Sequence, residues 1–302
     1  MFKKFIVNKD YHNSRFDRWF KNNINNIPQS FIEKIIRKKK VKVNKKKIKT
    51  SHRVKYKDII EVHGIENLKE KVQNKIIKYK SSNKERNIYE KFIIEDNDNF
   101  IIINKPNGIP VQSGTKSFKN IIDILKDTKY FENKKPYIVH RLDKETSGVM
   151  IVAKNREYAQ LFTSLFRIRK IHKTYLAITY GNVKKDINLL QDNLVIYEKN
   201  KKVIQRAISY LKVIKSGNNY SFLELKPVTG RKHQLRKQLL NIGNPIVGDD
   251  KYSSSELKKQ LKVKNIMLHA YKIKFIINDI KYNFTAKYNN EFANFIKKNL
   301  NS

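Results

Sequence analysis

Apolar residues recur along this chain with two periods, and the period changes where the elements change. Phe16, Trp19, Phe20 and Ile24 repeat at helical spacing behind Ser14, whose hydroxyl can cap the helix. A second helix is predicted from Pro28. Ser30 and Glu33 stand there at capping-box spacing, and Ile32, Ile35 and Ile36 form the apolar stripe. It runs into Arg37-Lys38-Lys39-Lys40. Val41-Lys42-Val43-Asn44 then alternates as a strand, Lys45-Lys46-Lys47 reads as a basic turn, and Asp58-Ile59-Ile60-Glu61-Val62 as a closing strand. With a short strand and connector before Ser14, these elements make a small α/β domain over residues 1–66. Residues 67–91 are polar, rich in Lys and Asn and weakly patterned, and read as a linker.

From Phe92 strands dominate, and residues 92–302 read as a second domain. Phe92–Glu95 and Phe100–Ile103 are predicted strands joined by an Asp/Asn turn. Ser117 can cap a helix carrying Phe118, Ile121, Ile122 and Leu125. Tyr137-Ile138-Val139 and Val149–Ala153 flank a charged loop. Asn155 can cap a helix with Ala159, Phe162, Leu165 and Phe166 on one side. Further strands are expected at 173–178, 194–197, 205–214, 220–228, up to Phe275 and near 280–286. Helices are expected up to Gly243, a C′ residue, and at 290–299.

Composition sharpens this picture. The 302 residues leave room for two domains. A net charge of +39 points to a polyanionic partner, RNA or DNA, although richness in Lys, Ile and Asn is also what an AT-rich genome encodes. No Cys is present, which excludes disulfides, thiolate nucleophiles and Cys-ligated zinc. The seven His residues are scattered, so no metal site is expected. There is no P-loop or dinucleotide fingerprint, so no cofactor is expected either. No apolar run approaches the roughly 18 residues of a membrane span, and the first residues lack a leader's apolar core, so the cytoplasm is the default location. Glycine is scarce, 9 residues in all, yet Gly108, Gly114, Gly148, Gly230, Gly243 and Gly248 all sit in or beside loops, where backbone freedom is expected to matter.

The charged loop is His140-Arg141-Leu142-Asp143-Lys144-Glu145-Thr146-Ser147-Gly148. Charge alone reads as a solvated hairpin turn. The full string, however, resembles the active-site motif H-R-L-D-x-x-T-S-G of the RluA branch of pseudouridine synthases, including the leading His that separates this branch from relatives beginning G-R-L-D. Further strings follow the family's order. Asn104–Val111 resembles N-K-P-x-G-x-x-V, Lys173–Ala177 resembles K-x-Y-L-A, and Thr229–Arg236 resembles T-G-R-x-H-Q-L-R. Pro245–Asp249 and Leu268–Ala270 resemble P-I-x-G-D and L-H-A. One departure is Lys237-Gln238, where the family carries V-H. Residues 1–66 resemble the RNA-binding domain named after the fourth small-subunit ribosomal protein.

The resemblance implies an α+β fold, with a mixed, largely antiparallel central sheet bearing a catalytic hairpin. It implies that Asp143 is the catalytic carboxylate, that Tyr175 lies in the active site, and that Arg236 holds Asp143 charged. His140, Arg141, Leu142, Thr146, Arg231, His233 and Gln234 are the implied substrate contacts, with Arg141 a candidate to fill the space left by a flipped nucleotide. Arg37, Lys38, Lys39, Lys42, Lys45, Lys46 and Lys47 are the expected RNA contacts of the small domain. The implied reaction breaks the N1–C1′ bond of uridine, turns the base and forms a C5–C1′ bond, with no redox equivalent. The resemblance is greatest to the RluC type, which modifies large-subunit (23S) ribosomal RNA and is expected to act as a monomer. The RluD type, acting on other uridines of that RNA, is the sibling alternative. Two rivals come from other classes: a non-catalytic RNA-binding or ribosome-assembly factor, and a base-releasing hydrolase with Glu145 as second carboxylate.

Overall fold

Buried apolar side chains gather into separate cores, and the computed structural model divides into units of residues 1–76 and 77–302. The structure describes residues 2–24, 27–64, 79–113, 119–131, 134–198, 201–260 and 263–300. The expected Ser117 cap, Phe118, Gly114 and linker residues 67–78 lie outside the described residues.

In the first unit, strands β1 (Phe2–Ile6), β6 (Ile59–His63), β3 (Val41–Val43) and β4 (Lys46–Lys47) lie side by side, all antiparallel. A two-residue ladder joins β2 (Ser14–Arg15) to β5 (Arg53–Val54). Helices α1 (Phe16–Asn23) and α2 (Gln29–Arg37) bury Phe16, Trp19, Phe20, Ile32 and Ile35 against Val41, Val43, Ile60 and Val62. Neither expected cap forms. Ser14 is committed to the β2 ladder and its buried hydroxyl has no partner. Asp17 instead accepts from Arg18 N at 2.7 Å. Pro28 is the N-cap of α2, which places Ser30 inside the helix. The basic turn is tighter than expected. Asn44 and Lys45 take φ of 48° and 64°, and Lys46 and Lys47 already belong to β4. Lys42 faces away from the buried Val41 and Val43. Arg37, Lys38, Lys39, Lys45, Lys46 and Lys47 are exposed.

The second unit opens with α3 (Asn83–Glu90), capped by Ser82, whose hydroxyl accepts from Glu85 N at 3.2 Å. Residues 79–91 therefore do not extend the linker. Tyr79 and Tyr89 pack on the core containing Ile101 and Ile103, and Ser81 Oγ donates to Asp127 at 2.9 Å. Their polar pattern hid this, because α3 buries none of its residues fully. Strands β7 (Ile93–Asp96) and β8 (Phe100–Lys105) follow. Then come α4 (Ile121–Lys126), β9 (Tyr137–Ile138), β10 (Ser147–Ala153), α5 (Arg156–Arg167) and β11 (His172–Tyr180). The chain continues through β12 (Leu189–Glu198), β13 (Lys201–Gly217), β14 (Tyr220–Pro227), α6 (Gln234–Asn241) and α7 (Ser255–Gln260). It ends in β15 (Leu268–Ile277), β16 (Ile280–Thr285) and α8 (Asn290–Leu300). Asn120 caps α4 by accepting from Asp123 N at 3.0 Å.

One ten-stranded sheet runs β12-β13-β14-β11-β15-β10-β8-β7, with β9 on β10 and β16 on β15. Every pairing is antiparallel except β10 with β15. The sheet is thus mixed and largely antiparallel, and the fold is α+β. Asn155 caps α5 as expected, accepting from Tyr158 N at 2.9 Å. Phe162 of α5 packs edge-on against Phe100 and Phe275 at 5.3 and 5.2 Å. That aromatic block supports the β9–β10 hairpin from below, and removing a ring such as Phe162 costs about 3–5 kcal/mol.

Candidate active site

The loop between β9 and β10 is short, and its backbone is held from Asp143 to Thr146. Thr146 N donates to Asp143 O at 3.1 Å, and Gly108 N donates to Lys144 O at 3.0 Å. Lys105 is fully buried, and its ammonium donates to Pro106 O, Ile109 O and Lys144 O at 2.9, 3.0 and 3.1 Å. Asn107 Nδ2 reaches Glu145 O at 2.6 Å. Leu142 is buried in the core beside Ile101 and Ile103, which leaves Arg141 exposed and Asp143 facing the cleft. At the far end Ser147 Oγ meets His269 Nδ1 at 2.8 Å, while His269 Nε2 meets Ala286 O at 2.9 Å. A carbonyl only accepts, so Nε2 carries the proton and Ser147 donates to Nδ1. Gly148 has φ 113°, and a Cβ there would collide with the backbone of Ala270 on β15.

Across the cleft the turn before α6 supplies the counter-charge. His233 takes the left-handed conformation, φ 55°, and puts Nε2 3.7 Å from Asp143 Oδ1. Arg236 Nη1 lies 4.0 Å from Asp143 Oδ2 and 3.9 Å from Glu145 Oε2. The rest of the guanidinium is fixed. Its Nε and Nη2 grip the two oxygens of buried Asp249 at 2.7 and 2.6 Å, and its carbon sits 5.1 Å over the Tyr252 ring. Tyr252 OH also meets His233 Nδ1 at 2.9 Å. Asp249 is set by the turn at Gly248, φ 76°, where a Cβ would strike Asn265 O. Tyr175 enters from β11, at the register shift between Thr174 and Tyr175 in the β11–β15 ladder. Asp143, Tyr175, His233 and Arg236 line one cleft of about 1200 Å³. Its rim carries Arg141, Arg169, Arg231, Lys232 and Lys272.

Environment fixes the protonation states. Burial lowers the His140 pKa to about 3, helped by the charge of Lys173. His140 is therefore neutral. Its Nε2 accepts from Ile151 N at 2.9 Å and its ring stacks on Phe166 at 4.6 Å. Burial also lowers His233, against the pull of Asp143 and with Arg236, Lys251 and Lys232 adding to the depression. Its 3.7 Å approach to Asp143 is therefore a dipolar contact with a neutral ring. Burial and the Asp143 charge both raise Tyr175, keeping the phenol protonated at neutral pH. Burial acts to lower Arg236, but the Asp249 hydrogen bonds and the charges of Asp249, Asp143 and Glu145 outweigh it, so its pKa is raised.

The structure thus brings Asp143, Tyr175, Arg236, Arg141, Arg231, His233 and Thr146 to one cleft. Thr146 Oγ1 is buried there without a hydrogen-bond partner. His140, Leu142 and Gln234 line the same cleft and each also has a structural role. Leu142 is core, and His140 bonds the β10 backbone. Gln234 has its oxygen taken by Thr229 Oγ1 and Arg231 N and its nitrogen by Ile208 O and Ser209 Oγ. The Lys237-Gln238 departure also finds its reason. Gln238 is fully buried, accepts from Ser209 Oγ at 2.7 Å and donates toward Leu190 O and Asp192 Oδ2, both at 3.1 Å, tying α6 to β12 and β13. Sequence reasoning gave no role to Asp249, Tyr252, Lys105 or His269. Asp249, Lys105 and His269 stood inside matched strings, which was the available signal. Among the described residues no group of His, Cys, Asp and Glu could hold a metal ion.

Comparison with known proteins agrees with this geometry. Residues 99–241 match the family model described as RNA pseudouridylate synthase. The chain is 37% identical over 273 residues to the ribosomal large subunit pseudouridine synthase C of Rickettsia felis, covering 86% of this chain and 88% of that one. It is 30% identical over 282 residues to the protein of the same name from Buchnera aphidicola, covering 89% and 88%. Human RNA pseudouridylate synthase domain containing 4 superposes with a TM-score of 0.59 at 27% identity, covering 70% of this chain and 94% of that structure. With its strings in order, its sheet in this topology and its relatives of this kind, the chain belongs to the RNA pseudouridylate synthase family.

Proposed function

We propose that the protein is the RluC-type synthase that isomerises specific uridines of large-subunit ribosomal RNA, acting in the cytoplasm as a monomer without metal or cofactor. The observation that carries this reading is the pairing of Asp143 with an arginine already immobilised by Asp249. In the reaction the N1–C1′ bond breaks and C1′ becomes electron-poor. The base turns, C5 bonds to C1′, and the C5 proton is replaced by one on N1, so substrate and product are isomers. Attack by a carboxylate at C1′ and removal of a neighbouring sugar proton both need Asp143 charged. The Arg236 guanidinium, 4.0 Å away, favours that form. Tyr175 offers a ring face to the uracil and, being protonated, a hydroxyl donor. Thr146 Oγ1, buried and unpartnered, and Arg231 supply further contacts, and Arg141 fills the place of the extruded nucleotide. The exposed cations from Arg37 to Lys47 bind RNA phosphates.

The names of the relatives support large-subunit ribosomal RNA as the substrate. The test is pseudouridine mapping of that RNA from cells with and without the gene, followed by conversion of the unmodified transcript by purified protein. Sites that vanish with the gene and return in vitro support the reading. Release of free uracil would favour the hydrolase, with Glu145 beside Arg236 as its second carboxylate. Binding without conversion would favour the assembly factor.

A further inference from the structure

Lys173 lies on β11 two residues before Tyr175 and lines the same cleft. Unlike Lys105, it has no carbonyl cage. Among the described residues it has neither a hydrogen bond nor a carboxylate at ion-pair distance. Burial lowers its pKa, and no acidic neighbour opposes that depression. The carboxylates lining the cleft, Asp143 and Glu224, are engaged elsewhere. Asp143 faces Arg236 and His233, and Glu224 pairs with Lys226 at 2.7 Å. The Lys173 ammonium stands next to the open backbone of Gly230, 3.8 Å from where a Cβ would be. Lys173 is half-buried, and a partly desolvated cation without a counter-charge is tolerated where an anion arrives to pair with it.

The geometry points to Lys173 as the seat for a backbone phosphate of the nucleotide that enters the cleft. A phosphate there meets the ammonium from the open side of the cleft, beside the Gly230 loop. Because Tyr175 follows on the same strand, a phosphate fixed at Lys173 sets how far the base can travel toward that ring. Lys173 is a binding and positioning residue, and the assignment rests on the RNA-modifying reading above.

The test uses the full chain and unmodified large-subunit ribosomal RNA transcribed in vitro, with Kd measured across a salt series. Lys173→Met should weaken binding about tenfold near physiological salt and make the log Kd against log salt slope shallower by about 0.7–0.9, the loss of one phosphate contact. Lys173→Arg should restore both. The exposed Lys281→Met on β16, which removes the same charge away from the cleft, should leave Kd within about twofold. The free Lys173→Met protein should melt at or slightly above the temperature of the parent, because a half-buried unpaired charge has gone. Unchanged affinity and slope in Lys173→Met, equal losses in Lys281→Met, or a less stable or misfolded Lys173→Met protein would each overturn the proposal. Pseudouridine formed by the unaltered protein is read separately. A protein that binds with this Lys173 dependence but forms none would defeat the catalytic reading and leave the phosphate seat standing.

Discussion

Lys45, Lys46 and Lys47 stand exposed on a turn and a two-residue strand, and among the described residues no carboxylate lies at ion-pair distance from them. Arg236 is buried, grips Asp249 through two nitrogens and shows Asp143 a third. Both are cations in a chain of net charge +39, yet they do different physical work. An exposed lysine attracts phosphate through water and is screened by salt within about 8 Å at physiological ionic strength. A buried, doubly bonded guanidinium acts at one point and in one direction, and salt hardly reaches it. Attraction can therefore be spread over many replaceable residues, while chemistry depends on a few that cannot be exchanged.

The contrast is tested hardest at Asp143. Asp143→Asn keeps the shape and removes the charge, so single-turnover pseudouridine formation should fall by about three orders of magnitude or more, with Kd for the RNA changed less than about threefold. A variant that still isomerises at near-normal rate would break the mechanism. Asp249→Asn should come next. Freed from its clamp, Arg236 no longer meets Asp143 in one geometry, and the rate should drop about 100-fold. Breaking a buried pair should also destabilise the fold by about 3–5 kcal/mol in chemical denaturation. If Asp249→Asn were as stable and active as the parent, the clamp would have no role.

Replacing Lys45, Lys46 and Lys47 together by Gln should do the opposite. Affinity should weaken about tenfold and the salt slope flatten by about 2, while the rate at saturating RNA stays within about twofold. A slope unmoved by the triple replacement would remove this turn from the RNA contact. The smallest effect concerns Lys105. Burial lowers its pKa from 10.5 to about 7, despite Glu145 and Asp143. Between those values the unfolded chain holds the proton more tightly, so stability should rise with pH from 7 to 10.5. Over the same window the neutral amine keeps two N–H donors for three carbonyls, and the loop loosens. Conversion should fall a few-fold between pH 7 and 9 while Tm rises, and Lys105→Met should flatten that limb.

Much of the catalytic unit was legible because its chemistry is local in sequence. The run from His140 to Gly148, the Tyr175 strand and the Arg236 helix are each contiguous strings that stand out through their resemblance and their order, and the alternation around them marks strands. What could not be read was who bonds whom. Asp249 lies 13 residues beyond Arg236, and nothing in a turn containing Asp says that its oxygens face a guanidinium. Gln234 looks like a free amide in a polar string, yet all its capacity is used inside the fold. Ser14 satisfies every local rule for a cap and fails because strand β5 claims its backbone first. Residues 79–91 were missed because tyrosines and single hydrogen bonds, not a periodic stripe, dock them.

The pairing of β10 with β15 has a consequence in time. It places Ser147 and Gly148 beside His269 and Ala270, and the Ser147–His269 bond spans 122 positions of chain. Synthesis at about 5–20 residues per second puts about 6–24 s between the emergence of the catalytic loop and the arrival of the strand that braces it. Until then the hairpin carrying Asp143 lacks its parallel neighbour and the hydrogen bond that orients Ser147. A nascent copy is therefore without a finished active loop while still tethered to the translating ribosome, and competence comes only once β15 has emerged and paired.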